Sequence, residues 1–381
     1  MSDRPAALLV GDPHISRHAW ASRPEIRGDA EFAISELLRL TEHYQPQGLI
    51  LLGDVFDSYQ PCPEDLRCVL HLAEELARMQ VALYFLRGQH DLGKWSGREG
   101  LPWVSLARSA NHAHRLKFTL GGVRFFGLDF CHQKELRERL LEIPEHTDVL
   151  LAHQVWQEHM PPGAVCEAAF AEVPHVRIVA TGDMHGHRCT MIKGASGQIL
   201  TAMSPGTLTM QSIDEDGAKF VYLLYSDLTY ESIPLDSRPL LRGRLQTELA
   251  LERFLERITS YRVNTSLPGD LQTPLIDAVC LPGLTDARAR LEEAALGRGH
   301  LFYSEIKQET EEPRPISRHN YVGVAMATLV ERRDPELAPE ILRLAGALDP
   351  DDEVRCLLKE LRQEQEKLSQ EDGEETTENS A

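Results

Sequence analysis

The sequence predicts an α/β fold built on a largely parallel sheet, and three observations lead there. Short apolar runs recur at residues 6–10, 49–52 and 81–86, each reading as a strand covered on both faces. Two stretches with helical spacing, residues 30–43 and 63–79, separate these runs, and this strand–helix alternation calls for parallel pairing through right-handed crossovers. Each run also ends at or near a glycine followed by polar side chains able to ligate: Gly11-Asp12-Pro13-His14, Gly53-Asp54, and Gly88-Gln89-His90-Asp91. In open α/β sheets, ligands bind at the carboxyl ends of the strands.

The elements follow in chain order. In the helix at residues 30–43, Phe32, Leu37, Leu38 and Leu40 fall on one side, with Glu31, Glu36 and Arg39 on the other. Residues 123–128 form a strand leading to Asp129, residues 148–151 one leading to His153, and residues 176–180 one leading to Gly182-Asp183-Met184-His185. Residues 198–202 lead to Ser204-Pro205-Gly206-Thr207, and residues 220–225 and 228–233 read as a hairpin closing a first domain, 1–237. A second, small α/β domain spans 238–309, with helices at 245–258 and 285–296 and strands at 275–281 and 301–306. Pro313 and Pro315 mark a linker, residues 335–345 and 351–368 read as helices of a 310–368 segment, and 369–381 is an acidic tail expected to be disordered.

Composition narrows the function. The 381 residues, 42% hydrophobic, suffice for a large core plus a second domain. No run approaches the roughly 20 apolar residues of a membrane span, and residues 1–7 lack a signal-peptide pattern, so a cytoplasmic location is expected. The seven scattered cysteines include no Cys-x-x-Cys pair, which fits a reducing compartment and argues against a thiolate zinc site. The net charge of −19 argues against holding nucleic acid by a general positive field. Residues 351–381 carry eleven acids against four bases, −7, which leaves −12 elsewhere. A DNA contact therefore needs bound cations or local arginine clusters.

The strand-end residues are Asp12, His14, Asp54, Gln89, His90, His153, Asp183 and His185. Taken singly, each has an ordinary reading as a turn or cap residue. Together they combine carboxylate, imidazole and amide oxygen, a mixture suited to two hard-to-borderline divalent ions such as manganese. One carboxylate can bridge two such ions, which activate a water for in-line attack on phosphorus.

Gly11-Asp12-x-His14, Gly53-Asp54-x-x-Asp57, Gly88-Gln89-His90-Asp91, the lone His153 and Gly182-Asp183-x-His185 resemble the five motifs of the calcineurin-like metallophosphoesterases. Within these the chain is similar to the SbcD-type DNA exonuclease subunits, a likeness that Ser204-Pro205-Gly206-Thr207 and the closing hairpin share. The resemblance implies a four-layer αββα sandwich with a small α/β capping domain and a C-terminal helical tail. It implies that Asp12, His14 and His185 hold one metal, Asp54 bridges, and Gln89, His153 and Asp183 hold the second. His90 would touch the scissile phosphate and protonate the leaving oxygen, Asp91 would orient its imidazole, and Asp57 would accept a hydrogen bond from behind the ligands. The cofactors implied are two divalent ions, manganese foremost, with magnesium as the alternative.

The implied activity is exonucleolytic, with endonuclease action on single strands, within a DNA repair or recombination complex. The implied partners are DNA, a coiled-coil ATPase of the ABC or SMC type docked by the C-terminal helices, and a second copy of the chain. Two positions depart from the family pattern: Gln89 stands where asparagine is usual, and Asp183 where histidine is usual. Both fall on the second metal, and Asp183 should favour hard ions over zinc. The competing readings are a phosphatase or phosphodiesterase acting on small molecules, and a catalytically weakened scaffold subunit. Arg238, Arg242 and Arg244 are candidate phosphate contacts, as are Arg288, Arg290 and Arg298, although a solvated helix face explains the latter three equally well. His112 and His114 read as ordinary polar residues with DNA contact as the alternative, His187 as a surface or supporting histidine with metal ligation as the alternative, and Trp95 and Trp103 as packing under a loop or stacking on bases.

Overall fold

The computed structural model describes residues 4–16, 20, 23–92, 110–159, 169–194 and 197–306. Trp95 and Trp103, the helices expected at 335–345 and 351–368 and the acidic stretch 369–381 lie outside the described residues.

Two six-stranded sheets form the main body. The first contains β1 (Ala7–Val10), β2 (Gly48–Leu51), β3 (Ala82–Phe85), β4 (Asn111–His112), β11 (Lys219–Leu224) and β12 (Tyr230–Leu235), in the order β12-β11-β1-β2-β3-β4. The second contains β5 (Lys117–Leu120), β6 (Val123–Leu128), β7 (Val149–His153), β8 (Ile178–Gly182), β9 (Arg188–Lys193) and β10 (Ile199–Ser204), in the order β5-β6-β7-β8-β10-β9. The central pairs β1–β2, β2–β3, β6–β7, β7–β8 and β8–β10 are parallel, and antiparallel strands occupy the outer positions β5, β9, β11 and β12.

Side-chain alternation along the strands separates the layers. Leu9, Ile50, Leu52 and Leu224 of the first sheet meet Phe125, Val149, Leu151 and Ala180 of the second in one buried cluster. Their neighbours Leu8, Leu49, Leu51 and Leu83 face the other way, onto α1 (Asp29–Tyr44) and α2 (Pro63–Arg78) through Leu37, Leu40, Val69 and Leu72. Phe126, Leu150 and Val179 likewise pack outward on Leu136 and Leu140 of α3 (Gln133–Leu140) and on Trp156 and Phe170. The layers run helix, sheet, sheet, helix. Among the described residues, no helix is long and apolar enough to cross a membrane.

Residues 240–305 build a third sheet of three parallel strands, β13 (Leu240–Leu245), β14 (Leu275–Cys280) and β15 (His300–Glu305), with α4 (Glu248–Ser260) and α5 (Ala287–Ala295) against it. The helix expected from residue 245 starts instead at Glu248, where the Thr247 side chain accepts from the Ala250 amide and stops the preceding strand. The third sheet is tied to the main body by Arg238. Its side chain is 1% exposed, pairs with Asp29 at 2.8 Å, and donates to the carbonyls of Arg27 and Thr273. Removing one partner of a buried pair strands the other charge. Arg238→Ala should therefore cost about 3–5 kcal/mol, read as a lowered midpoint in denaturant unfolding.

Candidate active site

Strand register brings the motifs level. Val10 pairs with Leu51 and Leu51 with Phe85, so the residues after β1, β2 and β3 leave one sheet edge together. His153 pairs with Gly182 at the matching edge of the second sheet. Each chain then turns sharply: His14, Asp54 and Asp183 all adopt positive φ, at 43°, 44° and 69°. Non-glycine residues rarely hold this conformation, and it concentrates where the surrounding structure enforces it, commonly at active sites. Gly88 allows the close approach that follows, because a Cβ there would lie 2.1 Å from Asp54 Oδ1.

The side chains converge. Asp54 is fully buried; its Oδ1 accepts from the His90 amide at 2.8 Å, and its Oδ2 lies 3.3 Å from His153 Nε2 and 3.8 Å from His14 Nε2. Asp12, also fully buried, accepts from the Asp183 amide at 3.1 Å and sits 3.7 Å from His153 Nδ1. His153 Nδ1 donates to the Leu52 carbonyl at 2.7 Å, which leaves Nε2 facing Asp54 and Gln89 Oε1, the latter at 2.9 Å. Gln89 Nε2 donates in turn to Asp183 Oδ1 at 2.5 Å, so the two positions that depart from the family motif touch each other.

This arrangement fits bound cations. Asp12 Oδ2, Asp54 Oδ2 and both ring nitrogens of His14 are buried without a hydrogen-bond partner. Each orphaned polar group costs about 1–3 kcal/mol unless something satisfies it. Two groupings, Asp12–His14–His185 and His14–Asp54–His90, present ligand atoms within 4.8 Å of one another. With His153 beside Asp54, Gln89 beside His153 and Asp183 beside Gln89, the donors are oxygen and imidazole nitrogen throughout, as hard-to-borderline divalent ions prefer.

The remaining sequence-predicted residues sort themselves by contact. His90 stands 42% exposed at the mouth, and its Nδ1 is held by the Asp57 carbonyl at 2.8 Å. Asp91, expected to orient that ring, instead accepts from the backbone amides of Val55, Phe56 and Gly88, which fix the two loops carrying Asp54 and His90. Asp57 Oδ1 lies 3.5 Å from His14 Nδ1, behind the ligands. His187 stacks on Phe220 and Tyr222 and meets the Ser232 hydroxyl, a packing role. His112 and His114 both meet Asp129, which also pairs with Arg87.

The arginines expected at DNA are largely engaged within the protein. Arg238 is buried as described, and Arg242 pairs with Asp277 at 2.8 Å and donates to the carbonyls of Ile213 and Glu215. Arg288 pairs with Glu292, Arg290 with Glu248 and Glu252, and Arg298 donates to the Ala294 carbonyl. Arg244 is exposed. A positive charge in sequence does not reveal its partner, and here the acids that neutralise Arg238 and Arg242 come from distant segments.

Sequence reasoning missed Glu215. It lies in the loop between β10 and β11, and its Oε1 accepts from His185 Nδ1 at 2.8 Å. Burial works to raise its carboxyl, but His185 and Lys219 outweigh that and hold it at about 2.

The fold and the site define a hydrolase of phosphoesters with a candidate centre for two metals. Residues 7–187 match the calcineurin-like phosphoesterase family, and this stretch is a calcineurin-like metallophosphoesterase domain. Among solved structures the chain is similar to an archaeal phosphodiesterase, at 12% identity and a TM-score of 0.33 over 60% of this chain and 99% of that one. It is similar also to a dimetal phosphatase from Danio rerio, at 13% identity and a TM-score of 0.39 over 61% and 96%. A third is the nuclease MPE of Pseudomonas putida, at 17% identity and a TM-score of 0.27 over 58% and 86%. None of those three activities is carried to this chain by such superpositions. No curated protein matches the sequence significantly.

Charge at the site sets a pH trend. Burial pushes Asp12 up to about 6 and Asp91 up to about 7. Burial lowers His153, but Asp12 and Asp54 outweigh it and push the imidazole up to about 10. All three folded values exceed the unfolded ones, so below the unfolded values their contribution to stability is complete. It is lost as pH rises through the folded values. Metal-free protein should therefore lose stability from these groups between pH 5 and 7.5. Metal ligands must be deprotonated, so manganese should counter this trend. Thermal unfolding should show the manganese-induced rise in Tm larger at pH 7.5 than at pH 5.

Proposed function

We propose that the protein is a metal-dependent nuclease that hydrolyses DNA phosphodiesters, and that it works as the nuclease subunit of an SbcC/SbcD-like repair or recombination complex. One observation carries the hydrolytic part: buried, unpartnered oxygen and nitrogen atoms of Asp12, His14 and Asp54 converge beside the exposed His90. The assignment to DNA rests on the likeness of the motifs, of the Ser204–Thr207 segment and of the closing hairpin to the SbcD-type subunits.

Two divalent cations bound here would supply positive charge at a transferring phosphoryl group and an acidified water. The chain supplies the rest. Asp12, His14 and His185 would hold one cation and Gln89, His153 and Asp183 the other, with Asp54 shared between them. With Nδ1 donating to the Asp57 carbonyl, His90 keeps Nε2 at the open mouth, where it can bind a phosphate oxygen and hand a proton to the leaving oxygen. Asp91 holds the backbone beneath both groups.

A second reading, a phosphodiesterase for small substrates, is favoured by the internal engagement of Arg238 and Arg242. The test is hydrolysis by wild-type protein, with manganese, magnesium and zinc in turn, of linear duplex DNA, single-stranded DNA and a small aryl phosphodiester. Manganese-dependent shortening of DNA from its ends supports the nuclease reading. Turnover of the small ester without turnover of DNA overturns it in favour of the second. A protein that hydrolyses neither with any metal is the scaffold.

Partner docking is assigned to residues 331–381, where Leu337, Ile341, Leu342 and Leu344, then Val354, Leu357, Leu358 and Leu361, form two apolar stripes in sequence. Deleting residues 331–381 should abolish capture of the coiled-coil ATPase while sparing metal-dependent hydrolysis. Unchanged capture would remove these helices from the interface.

A further inference from the structure

Behind His185 lies a group of polar side chains that the ligand motifs do not include. Glu215 Oε1 accepts from His185 Nδ1 at 2.8 Å. Its Oε2 takes the Thr207 hydroxyl at 3.0 Å, Lys219 Nζ at 3.0 Å and the Gln211 amide at 3.3 Å. Lys219, only 3% exposed, also donates to Thr207 Oγ1 at 2.7 Å. The Thr207 amide donates to the His185 carbonyl at 3.2 Å, so the segment after β10 grips both the backbone and the ring of this histidine. Asp12, on the ligand side, joins the same segment through its amide and the Gly206 carbonyl at 3.2 Å.

We propose that Glu215, clamped by Lys219 and Thr207, is a positioning residue that fixes the tautomer and aim of His185 so that Nε2 serves the Asp12–His14–His185 metal site. The proposal rests on the metal-centre reading above. A histidine with Nδ1–H committed to a carboxylate has only Nε2 to offer, and the carboxylate raises the basicity of that nitrogen. Such outer partners typically change metal affinity by about 10–100-fold when removed. Lys219 acts one step further out. A buried carboxylate facing a neutral ring needs a compensating charge, and Lys219 provides it without touching the ligands. His14 is held less closely: Asp57 Oδ1 lies 3.5 Å from its Nδ1, and neither ring nitrogen makes a hydrogen bond. Of the two histidines in the Asp12–His14–His185 group, His185 is the one whose ring is fixed by a hydrogen bond.

A structural role for the Glu215–Lys219 pair and a positioning role separate in one experiment. Manganese binding is titrated by calorimetry, and metal-free unfolding is followed by circular dichroism. The proteins compared are wild type, Glu215→Leu, Glu215→Gln and the double variant Glu215→Leu/Lys219→Met. Glu215→Leu should lower the metal-free Tm, because it leaves the Lys219 charge buried without its carboxylate partner. The double variant removes both charges and should recover Tm. Positioning predicts that the double variant still binds one of two manganese equivalents about 10–100-fold more weakly. It also predicts a smaller loss in Glu215→Gln, whose amide oxygen still accepts from His185. Recovery of manganese affinity together with Tm in the double variant overturns the proposal and leaves the metal centre standing. Wild-type protein that binds no manganese overturns both.

Discussion

Asp54→Ala is expected to reduce phosphodiester hydrolysis by on the order of 1,000-fold or more, since charge stabilisation by the metals is worth several kcal/mol of barrier. Asp54 is within reach of both halves of the site: its Oδ2 lies 3.8 Å from His14 Nε2 and 3.3 Å from His153 Nε2 and has no hydrogen-bond partner of its own. Without it, the ligands on either side lose their common oxygen. The substitution also strips an acceptor from the His90 amide. Asp54→Asn separates the two effects, because the amide oxygen keeps that hydrogen bond while the charge is lost. Both variants should be nearly inactive in a manganese-dependent assay, and the asparagine variant should unfold closer to wild type. Activity near wild type in either would contradict the bridging role.

His90→Ala should lower kcat by about 100- to 10,000-fold, the usual range for loss of a positioned proton donor. Its position differs from that of the buried residues: the ring is 42% exposed and is anchored by a single bond from Nδ1 to the Asp57 carbonyl. Removing it leaves Asp12, Asp54 and His153 untouched, so manganese should bind with the same stoichiometry. The grouping of His14, Asp54 and His90 offers the other role, that of a ligand. Calorimetry on the His90→Ala variant decides between them: two equivalents retained means a group acting on substrate, and one equivalent lost means a ligand. A substrate whose leaving group needs no proton should recover much of the lost rate only in the first case.

The strand-end motifs were legible because they combine signals that rarely coincide: a fully apolar run, a glycine, and a ligating side chain, repeated in order along a parallel sheet. Register then does what sequence spacing cannot show, setting Val10, Leu51 and Phe85 side by side so that Asp12, Asp54 and His90 leave one edge. Strands with weak patterns escaped. β13, Leu-Leu-Arg-Gly-Arg-Leu, interrupts its apolar residues with two arginines and a glycine, and β9 exposes most of its side chains at an edge. Roles that depend on partners far along the chain were also hidden. Arg238 reads as a phosphate contact until Asp29, 209 residues away, is seen beside it. Glu215 follows no apolar run and belongs to no motif, and only the folded chain places it against His185. Asp91, next to His90 in sequence, faces the backbone and not the ring.

The pairing of Gln89 with Asp183 bears on which ion occupies the second position. Gln89 reaches one methylene further than asparagine, Asp183 less far than histidine, and the two meet at 2.5 Å beside His153. A carboxylate at Asp183 in place of imidazole would shift that half of the site towards hard cations, while Gln89 keeps the amide oxygen that asparagine offers. Manganese-soaked crystals, with anomalous scattering recorded at the manganese edge, test the metal centre most directly. Two peaks about 3.5–4 Å apart, straddling Asp54 Oδ2 with Asp12, His14 and His185 around one and Gln89, His153 and Asp183 around the other, are the predicted result. No peak within coordination distance of Asp54, at manganese concentrations that support hydrolysis, would contradict it.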